Sequence, residues 1–254
     1  MIALRSFVFW VLISASTIVF GTGFVLSILL PLRARFWLLR CWRASFNLFA
    51  RGILGLRVKV LGRENIPEKP TLVLAKHESA WETVGLQDIF IPAVFVMKKE
   101  LLRVPFFGWG LYALNMIAID RGAGRAALRQ MLEQGLQRLR AGIWIIVFPE
   151  GTRVPPGETV RYKSGAAYFA MKSGMAVVPV AHNAADVWPK KSLRIRPGLI
   201  TVSVGPPIAT EGLKDAEVNR AVETWIEGEM RQIAPWRYTW ENTETRMNLS
   251  KPHA

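Results

Sequence analysis

Residues 143–153 read IWIIVFPEGTR. Six consecutive apolar residues, with no polar alternation among them, suit a short strand buried on both faces. Pro149 ends the run, and Glu150, Gly151, Thr152 and Arg153 follow in a tight loop. Strand ends in α/β folds face crevices where ligands bind, so this loop is a candidate binding element. Gly lets the backbone approach a ligand closely, Thr offers a hydroxyl, and Arg presents a fork that suits phosphate.

The same pattern extends to both sides. LRVKVLG (56–62) alternates like a half-buried strand, and TLVLAKH (71–77) reads as a more buried one. WETVGLQDIF (81–90) is helical, while AVFVMK (93–98) and NMIAIDR (115–121) are strands. A helix over 124–140 gathers Leu128, Met131, Leu132, Leu136 and Leu139 on one face. Downstream lie a short helix over 164–174, a strand over 176–182, and two β-type stretches, LRIRPG (193–198) and ITVSVGPPI (200–208). A long helix over 213–233 is acidic early and carries Arg231 late, as its dipole prefers. Strands alternating with helices predict an α/β domain over residues 57–234, its mixed, largely parallel sheet flanked by helices. A polar tail occupies 235–254.

Residues 1–56 are of another kind. From Ser6 to Leu32 no residue is charged, a length sufficient to cross a bilayer. Pro31 leads into Arg33, Arg35, Arg40 and Arg43 rather than a cleavage site, which points to a retained anchor. These cations outnumber Arg5 on the other flank and place the rest of the chain on the cytoplasmic side. Gly21 and Gly23 leave a re-entrant hairpin open as the alternative to a span. The following segment, 35–56, mixes arginines with large apolar residues, as a helix in the headgroup layer would. Overall, 33 Lys+Arg against 19 Asp+Glu give a net charge of +14, a surface that attracts anionic lipids or acidic proteins. No nucleic-acid motif is present. The single cysteine, Cys41, excludes an intrachain disulfide.

Of three histidines, only His77 stands at a strand end beside small polar residues, in AKHESAWETVG. Ser79 and Glu82 fit a capping box for the next helix. Along a continuous helix His77 and Glu82 would fall on different faces, but across a bend they meet. A carboxylate on one ring nitrogen would fix the tautomer and leave the other nitrogen to take a proton from an alcohol. Arg121 in IDRG, and Lys98 and Lys99, follow two further strands, and sheet order could bring all these ends together.

Together these motifs resemble the glycerolipid acyltransferase family, most closely its bacterial 1-acylglycerol-3-phosphate acyltransferases. HESAWE (77–82) resembles the family's His-x4-acid motif, with Glu82 where Asp is usual. Ile119-Asp120-Arg121 resembles the second motif, FPEGTR (148–153) matches the third, and VVPV (177–180) the fourth. The resemblance covers about residues 55–210. It implies a glycerolphosphate-acyltransferase-like fold and transfer of an acyl group from acyl-CoA or acyl-acyl carrier protein to lysophosphatidate. His77 would be the base and Glu82 its orienting acid. Arg153 and Arg121, with Lys98 or Lys99, would hold the phosphate, while Glu150, Gly151 and Thr152 line the acceptor site. Backbone N–H groups around the His77 bend are candidates for the oxyanion hole. No metal or cofactor is implied. The expected location is a bacterial inner membrane, with the active site on its cytoplasmic face. Lipid A or another lysolipid is the alternative acceptor, and a non-catalytic phospholipid-binding protein the alternative class.

Overall fold

The structure is a computed structural model that describes residues 1–238, the side chain of Arg121 excepted. In chain order it comprises α1 (Ile2–Leu26), α2 (Leu32–Gly52), β1 (Leu56–Leu61), β2 (Leu72–Ala75), α3 (Glu82–Gly85), β3 (Ala93–Lys98) and α4 (Phe107–Ala113). Then follow β4 (Ile117–Ile119), α5 (Arg125–Arg140), β5 (Trp144–Val147), α6 (Ser164–Ser173), β6 (Val177–His182), β7 (Gly198–Val204) and α7 (Asp215–Ile233). The strands form one seven-stranded sheet in the order β1-β7-β6-β2-β5-β3-β4.

Strands β4, β3, β5, β2 and β6 run parallel, and β7 joins β6 antiparallel. Every side chain of β2 and β5 is buried, so helices cover both faces of the sheet. Helices α5, α6 and α7 pack side by side, while α1 lies against α2 and α4. Strand β1, at the sheet edge, exposes Arg57 and Lys59, charges that discourage pairing with another chain. Because β2, β5, β3 and β4 are parallel neighbours, their C-terminal ends share one edge. That edge collects His77, the 150–153 loop, Lys98 and the backbone of Arg121.

The sequence expectation for LRIRPG is corrected: residues 193–197 form no strand. Their backbone groups have partners elsewhere. Trp10 Nε1 donates to Leu193 O (2.9 Å), the Ile195 amide donates to Ser6 Oγ (2.9 Å), and the Arg196 amide donates to Val187 O (2.9 Å).

Two of those bonds come from α1, which touches the domain at both ends. Near its start Phe9 packs edge-on against Trp188. Near its end Gly21 meets the Phe106 backbone so closely that a Cβ would lie 2.7 Å from Phe106 O. Its outward face leaves Leu4, Phe7, Val11, Val19 and Leu26 exposed, and the helix is long and apolar enough to cross a membrane. Helix α2 also differs from expectation in part. Arg43 turns inward, bonded to Gln87 O and paired with Asp88 (3.1 Å), instead of facing a headgroup layer. Arg35 donates to the carbonyls of Leu30, Ile28 and Ala113, tying the hairpin turn to α4.

The folded unit also passes the expected boundary at 234. Pro235–Arg237 is a 3-10 turn whose Arg237 is buried. Of the expected tail, 239–254 lie outside the described residues.

Candidate active site

Residues 77–81 are not helical, and α3 begins only at Glu82. That bend lets the two ends of the His-x4-Glu motif meet: His77 Nδ1 lies 2.8 Å from Glu82 Oε1. The same oxygen accepts the amides of Ser79 (2.9 Å) and Glu78 (3.1 Å). Glutamate in place of aspartate therefore reaches the ring and half of the capping box at once. The other half is altered, because Ser79 Oγ accepts from the Trp81 amide and donates to Trp188 O. These bonds commit the Glu78 and Ser79 N–H groups to Glu82. Phe148 stacks on the imidazole with ring centroids 4.1 Å apart, which fixes its plane. With Nδ1–H donated to a carboxylate, Nε2 is the basic nitrogen of the neutral ring.

Burial raises the Glu82 carboxyl to about 7, although the charge of His182 and two backbone donors oppose the rise. His182 itself is fully buried. Its Nε2 donates to Lys76 O (2.8 Å) and its Nδ1 accepts from the Ala184 amide (3.3 Å), so both ring nitrogens are used within the fold.

The 150–153 loop is docked directly on His77. The His77 amide donates to Glu150 Oε1 (3.1 Å), and His77 O accepts from the Val154 amide (2.8 Å). Gly151 turns the chain with φ +69, a conformation that favours glycine. Sequence reasoning placed Glu150 against the acceptor, and the structure corrects this. Glu150 is buried, and its carboxylate faces Lys76 Nζ at 3.6 Å. Burial raises its pKa to about 7. Burial alone would lower Lys76, but Glu150 and Glu227 outweigh that and raise it. Lys76 Nζ donates to Glu227 Oε1 (2.7 Å), which also accepts from Tyr162 (2.9 Å). Glu150 is therefore a support beneath His77, linked to α7 through Lys76.

A second buried network braces the other side of the bend. Arg237 grips Glu78 with two bonds, at 2.8 and 3.2 Å, and Asp186 at 2.7 Å. Neither network was legible in the sequence, because the partners lie far apart in the chain and carry no motif.

His77 opens into a cavity of about 780 Å³. Its polar end has Gly151, Thr152, Arg153, Lys163 and Lys190 beside the imidazole. The remainder is apolar, with Phe20 and Phe24 of α1, Met97 of β3, Leu111 of α4, and Leu114 and Met116. Lys98 lines it too, whereas Lys99 is not among the lining residues and pairs instead with Asp120. The Lys99 hydrogen bond, followed by the Gly122 amide, holds Asp120 below the usual carboxylate range. The Arg121 side chain lies outside the described residues; its backbone opens a 3-10 turn after β4. Lys163 and Lys190 were missed because each reads as an ordinary loop charge.

A cationic end beside the imidazole, continued by an apolar chamber, suits an amphipathic anion. Comparison with known proteins points the same way. The family model described as Acyltransferase matches residues 57–183. The chain is 42% identical over 238 residues to the 1-acyl-sn-glycerol-3-phosphate acyltransferase of Pseudomonas aeruginosa, covering 92% of this chain and 93% of that one. It is 34% identical over 179 residues to the 1-acyl-sn-glycerol-3-phosphate acyltransferase of Saccharomyces cerevisiae, covering 67% of this chain and 58% of that one. Among solved structures, the 1-acyl-sn-glycerophosphate (LPA) acyltransferase PlsC from Thermotoga maritima matches with a TM-score of 0.77 at 26% identity, covering 91% of this chain and 95% of that one.

Proposed function

The chain belongs to the acyltransferase family, and from that premise we propose that it moves a fatty acyl group from a thioester to the sn-2 hydroxyl of 1-acylglycerol 3-phosphate, giving phosphatidate. The observation that carries this reading is the His77–Glu82 pair at the junction between a cationic pocket end and an apolar chamber.

In this reading His77 Nε2 takes the hydroxyl proton as the oxygen attacks the thioester carbonyl. The C–O bond forms, the tetrahedral intermediate collapses with cleavage of C–S, and the imidazolium returns its proton to the leaving thiolate. Glu82 stabilises that imidazolium while its bonds to two backbone amides hold it still. Arg153 and Lys98 face the phosphate. The apolar chamber takes an acyl chain. Both acyl-CoA and acyl-acyl carrier protein fit the role of donor, since the transferred group and the leaving thiol are alike.

The basic α2 and the bare apolar flank of α1 suit a protein seated on the cytoplasmic face of a bacterial inner membrane. We infer that α1 lies with the domain along its length, its outward face in the acyl region, because contacts at both ends hold it there.

The test is turnover by purified protein in phospholipid vesicles with 1-acylglycerol 3-phosphate and each donor. Wild type should release thiol and form phosphatidate. His77→Ala should lose about 10³-fold or more in kcat while still binding the lysolipid. Equal turnover by both would remove His77 from the chemistry, and lipid binding without turnover by wild type would favour a non-catalytic role.

A further inference from the structure

A phosphate monoester near neutral pH carries between one and two negative charges, more than one guanidinium balances. Arg153 supplies one cation at the polar end of the cavity. Among the lysines nearby, Lys99 is committed to Asp120, Lys190 donates to Arg153 O at 2.5 Å, and Lys98 lines the cavity from the end of β3 as the second cation already assigned to the phosphate. Lys163 stands differently. Its backbone amide donates to Pro149 O (2.9 Å), which fixes its Cα to the same turn that carries Arg153. Its side chain then runs across Gly151: a Cβ built on that glycine would lie 2.8 Å from Lys163 Cε and Nζ and 2.9 Å from Cδ. Lys163 lines the cavity, and among the described residues no hydrogen bond or ion pair of its ammonium is found.

We infer that Lys163, lying over Gly151, is a ligand of the acceptor's phosphate monoester, acting with Arg153 across the mouth of the cavity. The inference rests on the acyltransferase reading of this site and adds to it a residue for acceptor selectivity. It also gives Gly151 a second reason to be glycine besides its positive φ: any side chain there would stand in the path of the lysine.

The experiment compares wild type with Lys163→Met and Lys163→Arg in vesicles. It varies 1-acylglycerol 3-phosphate, the acyl donor, and 1-acylglycerol without phosphate, each in turn. Lys163 is exposed and has no side-chain partner among the described residues, so both variants should fold, and a thermal melt checks this. Loss of one charged hydrogen bond should raise the KM for 1-acylglycerol 3-phosphate by about 10- to 100-fold in Lys163→Met. The preference in kcat/KM for the phosphate-bearing acceptor should fall by a similar factor, and Lys163→Arg should recover most of it. An unchanged acceptor KM would overturn the inference, as would a rise confined to the donor or an equal loss with the phosphate-free acceptor. Each of those outcomes leaves the acyltransferase reading standing provided wild type turns over. Absence of turnover by wild type is the separate result that would end it.

Discussion

At the scale of single residues, Glu82 sets two properties against each other. Its carboxyl is raised to about 7 by burial, above the ordinary value near 4.5. A group whose folded pKa lies above the unfolded one stabilises the fold fully below the unfolded value and loses that contribution as pH rises through the folded one. Wild type should therefore lose melting temperature between pH 5 and pH 8 on account of this side chain. The term is at most about 3 kcal/mol. Glu82→Gln, which never ionises, should be stabilised relative to wild type more at pH 8 than at pH 5. Glu150 retains its own share of the slope. Under the proposed mechanism activity runs the other way: there the pair with His77 needs the carboxylate, so wild-type kcat should fall as pH drops through about 7. Glu82→Gln should cost kcat about 10²- to 10⁴-fold throughout. Melting curves and rates at both pH values test the pair of expectations, and parallel melting curves would contradict the first. The partnership itself was legible in the sequence as a spacing across a bend. The raised pKa was not, since it depends on what the fold packs around the carboxylate.

At the scale of elements, the end of β2 sends adjacent residues to opposite duties, as successive side chains on extended backbone must. Lys76 points under the 150–153 loop toward α7, and His77 points into the cavity. Lys76→Met would leave two carboxylates facing each other in a buried site. Breaking a buried pair in this way costs about 3–5 kcal/mol, and here the loss should be smaller at pH 6, where Glu150 takes up a proton. Denaturant unfolding at pH 6 and pH 8 reads the difference; equal losses would mean that Glu150 is not the partner that matters. Arg237 in the last described turn has a similar standing toward Glu78. Arg237→Met should destabilise the protein and lower kcat together, since Glu78 belongs to the same bend as His77, the proposed base. A melt and a rate assay on one preparation check this, and a rate unchanged despite a lower melting temperature would separate the two. The strands of the sheet could be read from their apolar runs, and the 193–198 stretch misled for the same reason. Alternation marks extended backbone, but only a neighbouring strand makes it a sheet, and here α1 took that place.

At the scale of the whole molecule, the N-terminal hairpin and the sheet enclose one chamber between them, so the part of the chain that reads as an anchor also forms a wall of the site. Phe20 and Phe24 face inward, while Phe7, Val11 and Val19 face out. Replacing those three outward residues with Asp should weaken binding to anionic vesicles by about 10-fold or more, each burying apolar area that a charge forfeits. Turnover of a short-chain acceptor in detergent should be little altered, and co-sedimentation beside that assay tests it; full vesicle binding by the triple variant would exclude this face. Composition gave an apolar N-terminal helix, and the motifs gave the acyltransferase family, but only the packing joins the two in one chamber. The sheet order has a last consequence. His77 and Glu150 are 73 positions apart in sequence, yet they lie just past the ends of hydrogen-bonded neighbours, β2 and β5. The intervening chain loops out through β3 and β4 and returns without separating them. Grafting a foreign version of the part from β3 to β4, which leaves Glu82 in place, would change which lipids are admitted while the His77–Glu82 pair kept its shape.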